Sequence, residues 1–134
     1  SEKITLVSKV PFTLLCHFTR KAKLGVSIDK PNIQNHKYSL PNKLFEYLHA
    51  GVPVLASRLV EQEKIISHYD VGGFIEEHSP EHIAQRIKEI FETPGLLDRW
   101  KRNTSKVKEE LNWENESKIV LDIFKQVEKD SVIK

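Results

Sequence analysis

Apolar positions along the chain switch repeatedly between a period of two and a period of three to four. Lys3 to Val10 (KITLVSKV) has alternating and β-branched apolar residues and stops at Pro11, which predicts a strand. Phe12, Leu15, Cys16, Thr19 and Ala22 follow at helical spacing and predict a short amphipathic helix. Leu24 to Ile28 (LGVSI) reads as a short buried strand. Asp29 to Ser39 (DKPNIQNHKYS) is polar, holds a proline and two asparagines, and predicts the longest loop of the chain. Pro41 to Ala50 predicts a helix, with Pro41 suited to the first turn and Gly51 to the position just past the end. Val52 to Ser57 (VPVLAS) is nearly all apolar, as in a strand covered on both faces. Val60 to Tyr69 predicts a helix with Ile65, Ile66 and Tyr69 inward, ended by Gly72-Gly73, and Phe74-Ile75 a short strand. Ser79-Pro80-Glu81 opens the next helix, whose stripe is Ile83, Ala84, Ile87, Ile90 and Phe91, and Pro94-Gly95 breaks it. Two more helices carry Leu97, Trp100, Thr104, Val107 and Leu111, then Ile119, Val120, Ile123, Phe124 and Val127. Trp100 and Trp113, on or beside these stripes, are expected to be packing residues.

Strands alternating with helices predict an α/β domain: a mainly parallel sheet of about four strands with helices on both faces. Such sheets bind ligands beyond the carboxyl ends of their strands, often where a loop leads into a helix N-terminus. The polar loop after Ile28, running into the helix at Pro41, is that arrangement. Composition adds exclusions. The chain has 134 residues, of which 39% are hydrophobic and 30% charged, ordinary for one globular domain. Its 21 Lys and Arg against 19 Asp and Glu leave +2, with the signs interleaved, which argues against nucleic acid or an anionic membrane as partner. The runs Arg20-Lys21-Ala22-Lys23 and Lys101-Arg102 read as solvated faces. A lone cysteine, Cys16, forms no internal disulfide and points to a cytoplasmic location. No apolar run is long enough to cross a membrane. His17, His36, His49, His68, His78 and His82 form no ligand set with metal spacing and are read as surface or satisfied core residues. Ser1-Glu2-Lys3 lacks an initiator methionine and leads almost at once into the first strand-like run, which predicts a piece of a longer protein.

The stretch from Ser39 to Ser57 (SLPNKLFEYLHAGVPVLAS) resembles the donor-binding segment of group 1 retaining glycosyltransferases with the GT-B fold, the enzymes of polysaccharide and lipopolysaccharide assembly. The flanks are similar too: Lys3 to Phe12 resembles the third strand of the family's C-terminal domain. The spacing from Leu24-Gly25-Val26 to Pro41-Asn42-Lys43, the Gly72-Gly73 turn and Asn112-Trp113-Glu114 also fit. The resemblance implies a Rossmann-like three-layer domain, part of a GT-B C-terminal domain. It implies a nucleotide-diphosphate sugar as donor. Unpaired N–H groups at a helix start, where Asn42 and Lys43 lie, suit a diphosphate. Lys43 can add a point charge to a phosphate oxygen. The family's ribose-binding glutamate falls on Glu46, and Ser39 is expected to be a cap first and a donor contact second.

Two departures accompany the resemblance. The first glutamate of the family's usual pair falls on Tyr38, which has no carboxylate for the donor sugar. The first two strands of the C-terminal domain and the N-terminal acceptor domain have no counterpart, so the isolated chain is expected not to catalyse transfer. Expected partners are thus the donor, the missing N-terminal domain, a membrane surface reached through the parent protein, and a second copy through an open sheet edge. No metal or other cofactor is expected. The alternative of a different class is a catalytically dead α/β interaction or assembly module. For Lys3 to Val10 two outcomes are expected: parallel pairing with Leu24 to Ile28, or association of chains through the exposed edge.

Overall fold

In the computed structural model, which describes residues 3–32 and 34–132, helices and strands alternate as the pattern requires. The order is α1 (Phe12–Thr19), β1 (Gly25–Ser27), α2 (Gln34–Lys37), α3 (Asn42–His49), β2 (Val54–Ser57), α4 (Val60–Tyr69), β3 (Gly72–Ile75), α5 (Pro80–Glu92), α6 (Leu96–Glu110) and α7 (Trp113–Val132). The three strands form one parallel sheet in the order β1-β2-β3, with Gly25 opposite Val54 and Ala56 opposite Phe74. Successive strand residues point to opposite faces, and each face has its own core. Val54 and Ala56 pack with Leu44, Leu48, Ile66, Val71 and Val107 from α3, α4, the turn before β3, and α6. Leu55 and Ile75 pack on the other side with Ile90 of α5 and Trp100 of α6. All four residues of β2 are buried, as expected of a central parallel strand. The fold is therefore a Rossmann-like α/β sheet flanked by helices.

Local chemistry accounts for the element ends. Leu44 and Leu48, one helical turn apart, carry α3 into the core, and Gly51 follows it at φ +80°. Ser79 caps α5 by accepting from the His82 N–H at 3.3 Å, with Pro80 next in line. The end of α4 differs from expectation. Asp70, at φ 49°, ψ 61°, takes the left-handed turn, and Gly72 and Gly73 lie inside β3. The reason for a glycine at 72 is close approach: a Cβ there would overlap the Val54 carbonyl of the paired strand.

Other expectations are corrected. Lys3 to Val10 is not a strand and pairs with nothing in the sheet, so the sheet has three strands. A strand exists only with a ladder partner. Here α1 lies against α3, and the segment before it stays exposed, Leu6 at 93%. The first helix ends at Thr19, short of Ala22, and buries none of its residues. A single helical turn, α2, interrupts the loop after β1. Ala84 and Phe91 are exposed on α5. The stripe Ile119, Val120, Ile123, Phe124 and Val127 forms on α7 but is exposed throughout, and Trp113 is 73% exposed, whereas Trp100 is buried as expected.

Candidate functional site

The carboxyl edge of the sheet is built from the ends of all three strands. Asp29 follows β1, Arg58 follows β2 and Glu76 follows β3. Arg58 receives most of its order from acids: its Nε and Nη2 donate to Glu76 at 3.0 and 2.7 Å, its Nη1 donates to Glu63, and its guanidinium lies 4.5 Å from the Phe74 ring centre. These bonds push the Arg58 pKa up and hold the Glu76 carboxyl below its usual value, the Arg58 hydrogen bond being the main cause for Glu76. His78 Nε2 sits 3.0 Å from Ser57 Oγ and 3.3 Å from the Asp29 carbonyl oxygen. A carbonyl only accepts, so this geometry fits a ring protonated at Nε2. His78 thereby ties the loops after β1 and β3 to the last residue of β2. Buried Gln62 holds its Oε1 3.5 Å from Ser27 Oγ, while its Nε2 has no partner among the described residues.

The loop after β1 delivers the chain to the start of α3. The residue at the cap position is Pro41, whose side chain makes no capping bond, and the first N–H groups of the helix lack intrahelical acceptors. Lys43 Nζ donates to Asp29 Oδ1 at 2.9 Å, with both side chains about 40% exposed. Those two residues, Ser39 and Pro41 line a cleft of about 230 Å³. Asn42 and Glu46 line a second cleft, of about 380 Å³, between α1 and α3, together with Phe12, Cys16 and His49. The four sequence-predicted residues therefore flank the first turns of one helix but divide between two neighbouring clefts. The Glu46 carboxylate is exposed and forms no ion pair or side-chain hydrogen bond among the described residues. Tyr38 is exposed, with the Lys37 ammonium 5.7 Å from its ring centre.

Sequence reasoning missed Asp29 and His78 as parts of this edge. Asp29 opens the loop that was singled out, but nothing in its spacing marks it as the partner of Lys43. His78 carries no periodic signal, and its bonds span 21 and 49 residues. Among the described residues no group of three His, Cys, Asp or Glu is placed to hold a metal ion. No helix among them is long and apolar enough to cross a membrane.

A parallel α/β sheet whose carboxyl edge leads into the start of a helix places the chain in the Rossmann-like class, whose members bind ligands beyond the carboxyl ends of the strands. The family model for glycosyl transferases, group 1, matches residues 33–107, more than half of the chain. The chain belongs to this family, whose activity is glycosyl transfer. The matched span runs from α2 to the later turns of α6 and so contains α3, β2 and the loops that carry His78 and Arg58. No curated protein and no solved structure matches the chain.

Proposed function

We propose that this chain is the nucleotide-sugar donor-binding part of a glycosyltransferase that builds polysaccharide, lipopolysaccharide or a related glycan. The observation that carries the reading is Glu46: an exposed carboxylate with no partner among the described residues, one turn into a helix whose first N–H groups lack intrahelical acceptors. Its two oxygens suit a ribose diol, which offers two hydroxyl donors. The N–H groups of Asn42 and Lys43 suit the diphosphate, with Ser39 at the entrance of the same helix. Lys43 reaches a phosphate oxygen by leaving Asp29. The acceptor is held by a separate N-terminal domain, and the chemistry proceeds without a metal. Cys16, the lone thiol, accords with work in the cytoplasm.

The test is donor affinity in the full-length protein. Losing hydrogen bonds to a charged acceptor costs about 1.5–3 kcal/mol. Glu46→Gln and Glu46→Ala are thus expected to weaken nucleotide-sugar binding by about one to two decades. Unchanged affinity in both variants excludes the role. The second reading, an interaction module without transfer, is favoured by the exposed apolar stripe of α7. It predicts no donor binding at all, with or without Glu46.

A further inference from the structure

Arg20-Lys21-Ala22-Lys23 and Lys101-Arg102 are far apart in the sequence, and each alone looks like an ordinary solvated face. The fold joins them. Arg20, Lys21 and Lys23, in the connection from α1 to β1, and Lys101, in the second turn of α6, line one cleft of about 520 Å³. Lys23 precedes β1, so the cleft lies at the amino side of the sheet, away from Asp29 and Lys43 at its carboxyl edge.

Three features make this cleft different from the rest of the surface. First, the charged groups of these four side chains form no ion pair or hydrogen bond among the described residues. Elsewhere Arg58, Lys64, Arg86 and Arg99 each hold a carboxylate. Second, among the described residues the only acid lining the cleft is Asp98. Four cations gathered around one carboxylate repel one another, and an anion among them relieves that repulsion. Third, the wall opposite the Arg20–Lys23 turn is the start of a 15-residue helix, α6, preceded by Gly95, which has no side chain to cap it. Its first N–H groups add a positive dipole end to the same space. A Cβ built at Gly95 would meet nothing within 4 Å, so that space is open.

We propose that this cleft binds a phosphate-bearing anion at a site distinct from the donor cleft beside Glu46, with which it shares Arg20 alone among its lining residues. Phosphate is favoured over carboxylate because its three or more oxygens can engage several ammonium groups and helix N–H groups together. Exposed Phe91 and half-buried Leu97 on the rim provide an apolar surface for the group that carries the phosphate. A soluble phosphate ester and a lipid headgroup share this chemistry.

The test uses the full chain in two arms. In one, inorganic phosphate and pyrophosphate are titrated while backbone amide shifts are followed. In the other, the protein is sedimented with phosphatidylcholine vesicles, with and without phosphatidylglycerol. Lys23→Glu/Lys101→Glu and the milder Lys23→Gln/Lys101→Gln are compared in both, with far-UV circular dichroism to verify folding. The expected result is a shift of the Gly95 to Asp98 amides by phosphate, weakened about tenfold or more by the charge reversal, since two charge-assisted contacts are lost. Vesicle binding that needs phosphatidylglycerol and disappears in the same variants identifies a headgroup. Phosphate shifts without vesicle binding identify a soluble ester. Shifts confined to Asn42 to Glu46, shifts that persist in both folded variants, or no response in either arm overturns the proposal. Loss of donor affinity in Glu46→Ala leaves these outcomes untouched, so the two sites fail independently.

Discussion

Replacing Asp70 should separate a backbone effect from a hydrogen-bond effect at one position. Asp70 ends α4 in the left-handed region, at φ 49° and ψ 61°. Its Oδ1 accepts from the indole Nε1 of buried Trp100 at 3.0 Å, and its Oδ2 lies 2.9 Å from Arg99 Nε and 3.2 Å from Asn103 Nδ2. The turn between α4 and β3 is thus pinned to α6. Removing the carboxylate leaves the buried indole N–H without its partner, about 1–3 kcal/mol. The Arg99 pair is half exposed and adds about 0–1 kcal/mol. An alanine in the left-handed region adds roughly 1–2 kcal/mol that asparagine or glycine largely avoids. Asp70→Asn keeps an acceptor and the backbone preference, and should cost about 1 kcal/mol or less. Asp70→Gly loses only the side-chain bonds, about 1–3 kcal/mol, and Asp70→Ala loses both, about 2–5 kcal/mol. Urea unfolding followed by far-UV circular dichroism measures the series, with equal m-values as the condition for comparison. An Asp70→Gly variant as stable as the parent would refute the hydrogen-bond contribution. Equal stabilities of the glycine and alanine variants would refute the backbone contribution.

Two further predictions follow from the core and its margin. Gly72→Ala should destabilise the fold by about 1–3 kcal/mol or more, because the new Cβ meets the Val54 backbone carbonyl, which cannot move without opening the β2–β3 pairing; a melting temperature within a degree of the parent's would contradict this. Tyr69 is pushed up to about 12 by burial first and by its hydrogen bond to Glu110 second. Its folded pKa lies above the unfolded value near 10, so its contribution to stability is complete below about pH 10 and is lost as pH rises toward 12. Ultraviolet titration should show a late phase that Tyr69→Phe removes, and a phase lost near 10 on that substitution would exclude the shift.

The parts of the fold legible in the sequence are those specified by neighbouring residues. Pro41, the pair Leu44 and Leu48, and Gly51 mark α3 within ten or so positions, and the unbroken apolar run marks β2 as central. Lys3 to Val10 misleads because a strand's existence depends on a partner that its own pattern does not contain. The same limit applies to α7. A stripe at helical spacing shows that the helix has an apolar face, and Trp113 extends it, but periodicity is silent about what covers that face. Asp70 escaped notice because glycine is the usual left-handed terminator, and Gly72-Gly73 lay two residues beyond it. Here the side chain of Asp70, bonded to Trp100 and Asn103, stabilises a turn that a glycine would have made by backbone freedom alone.

At the candidate site the division is between one helix and the loops that meet it. Asn42, Lys43 and Glu46 were legible because they share the start of α3. Asp29 and His78 were not, because they reach the site across 14 and 49 residues without any period. Arg58, bound to Glu76 and Glu63, and His78, bound to Ser57 and the Asp29 carbonyl, brace the edge with side chains that are already committed. Lys43 is committed less firmly. Its bond to Asp29 is about 40% exposed at both ends, and pairs of that kind contribute about 0–1 kcal/mol. On the proposed reading, a diphosphate arriving at the uncapped start of α3 can therefore draw Lys43 away at little cost. Asp29 can take it back when the nucleotide leaves. A buried pair would hold the lysine in place against several kcal/mol and leave the anion to the helix dipole alone. A lysine with no partner would carry a full charge into the empty cleft. The half-exposed pair lies between these cases and suits a site that must bind an anion and release it in every turnover.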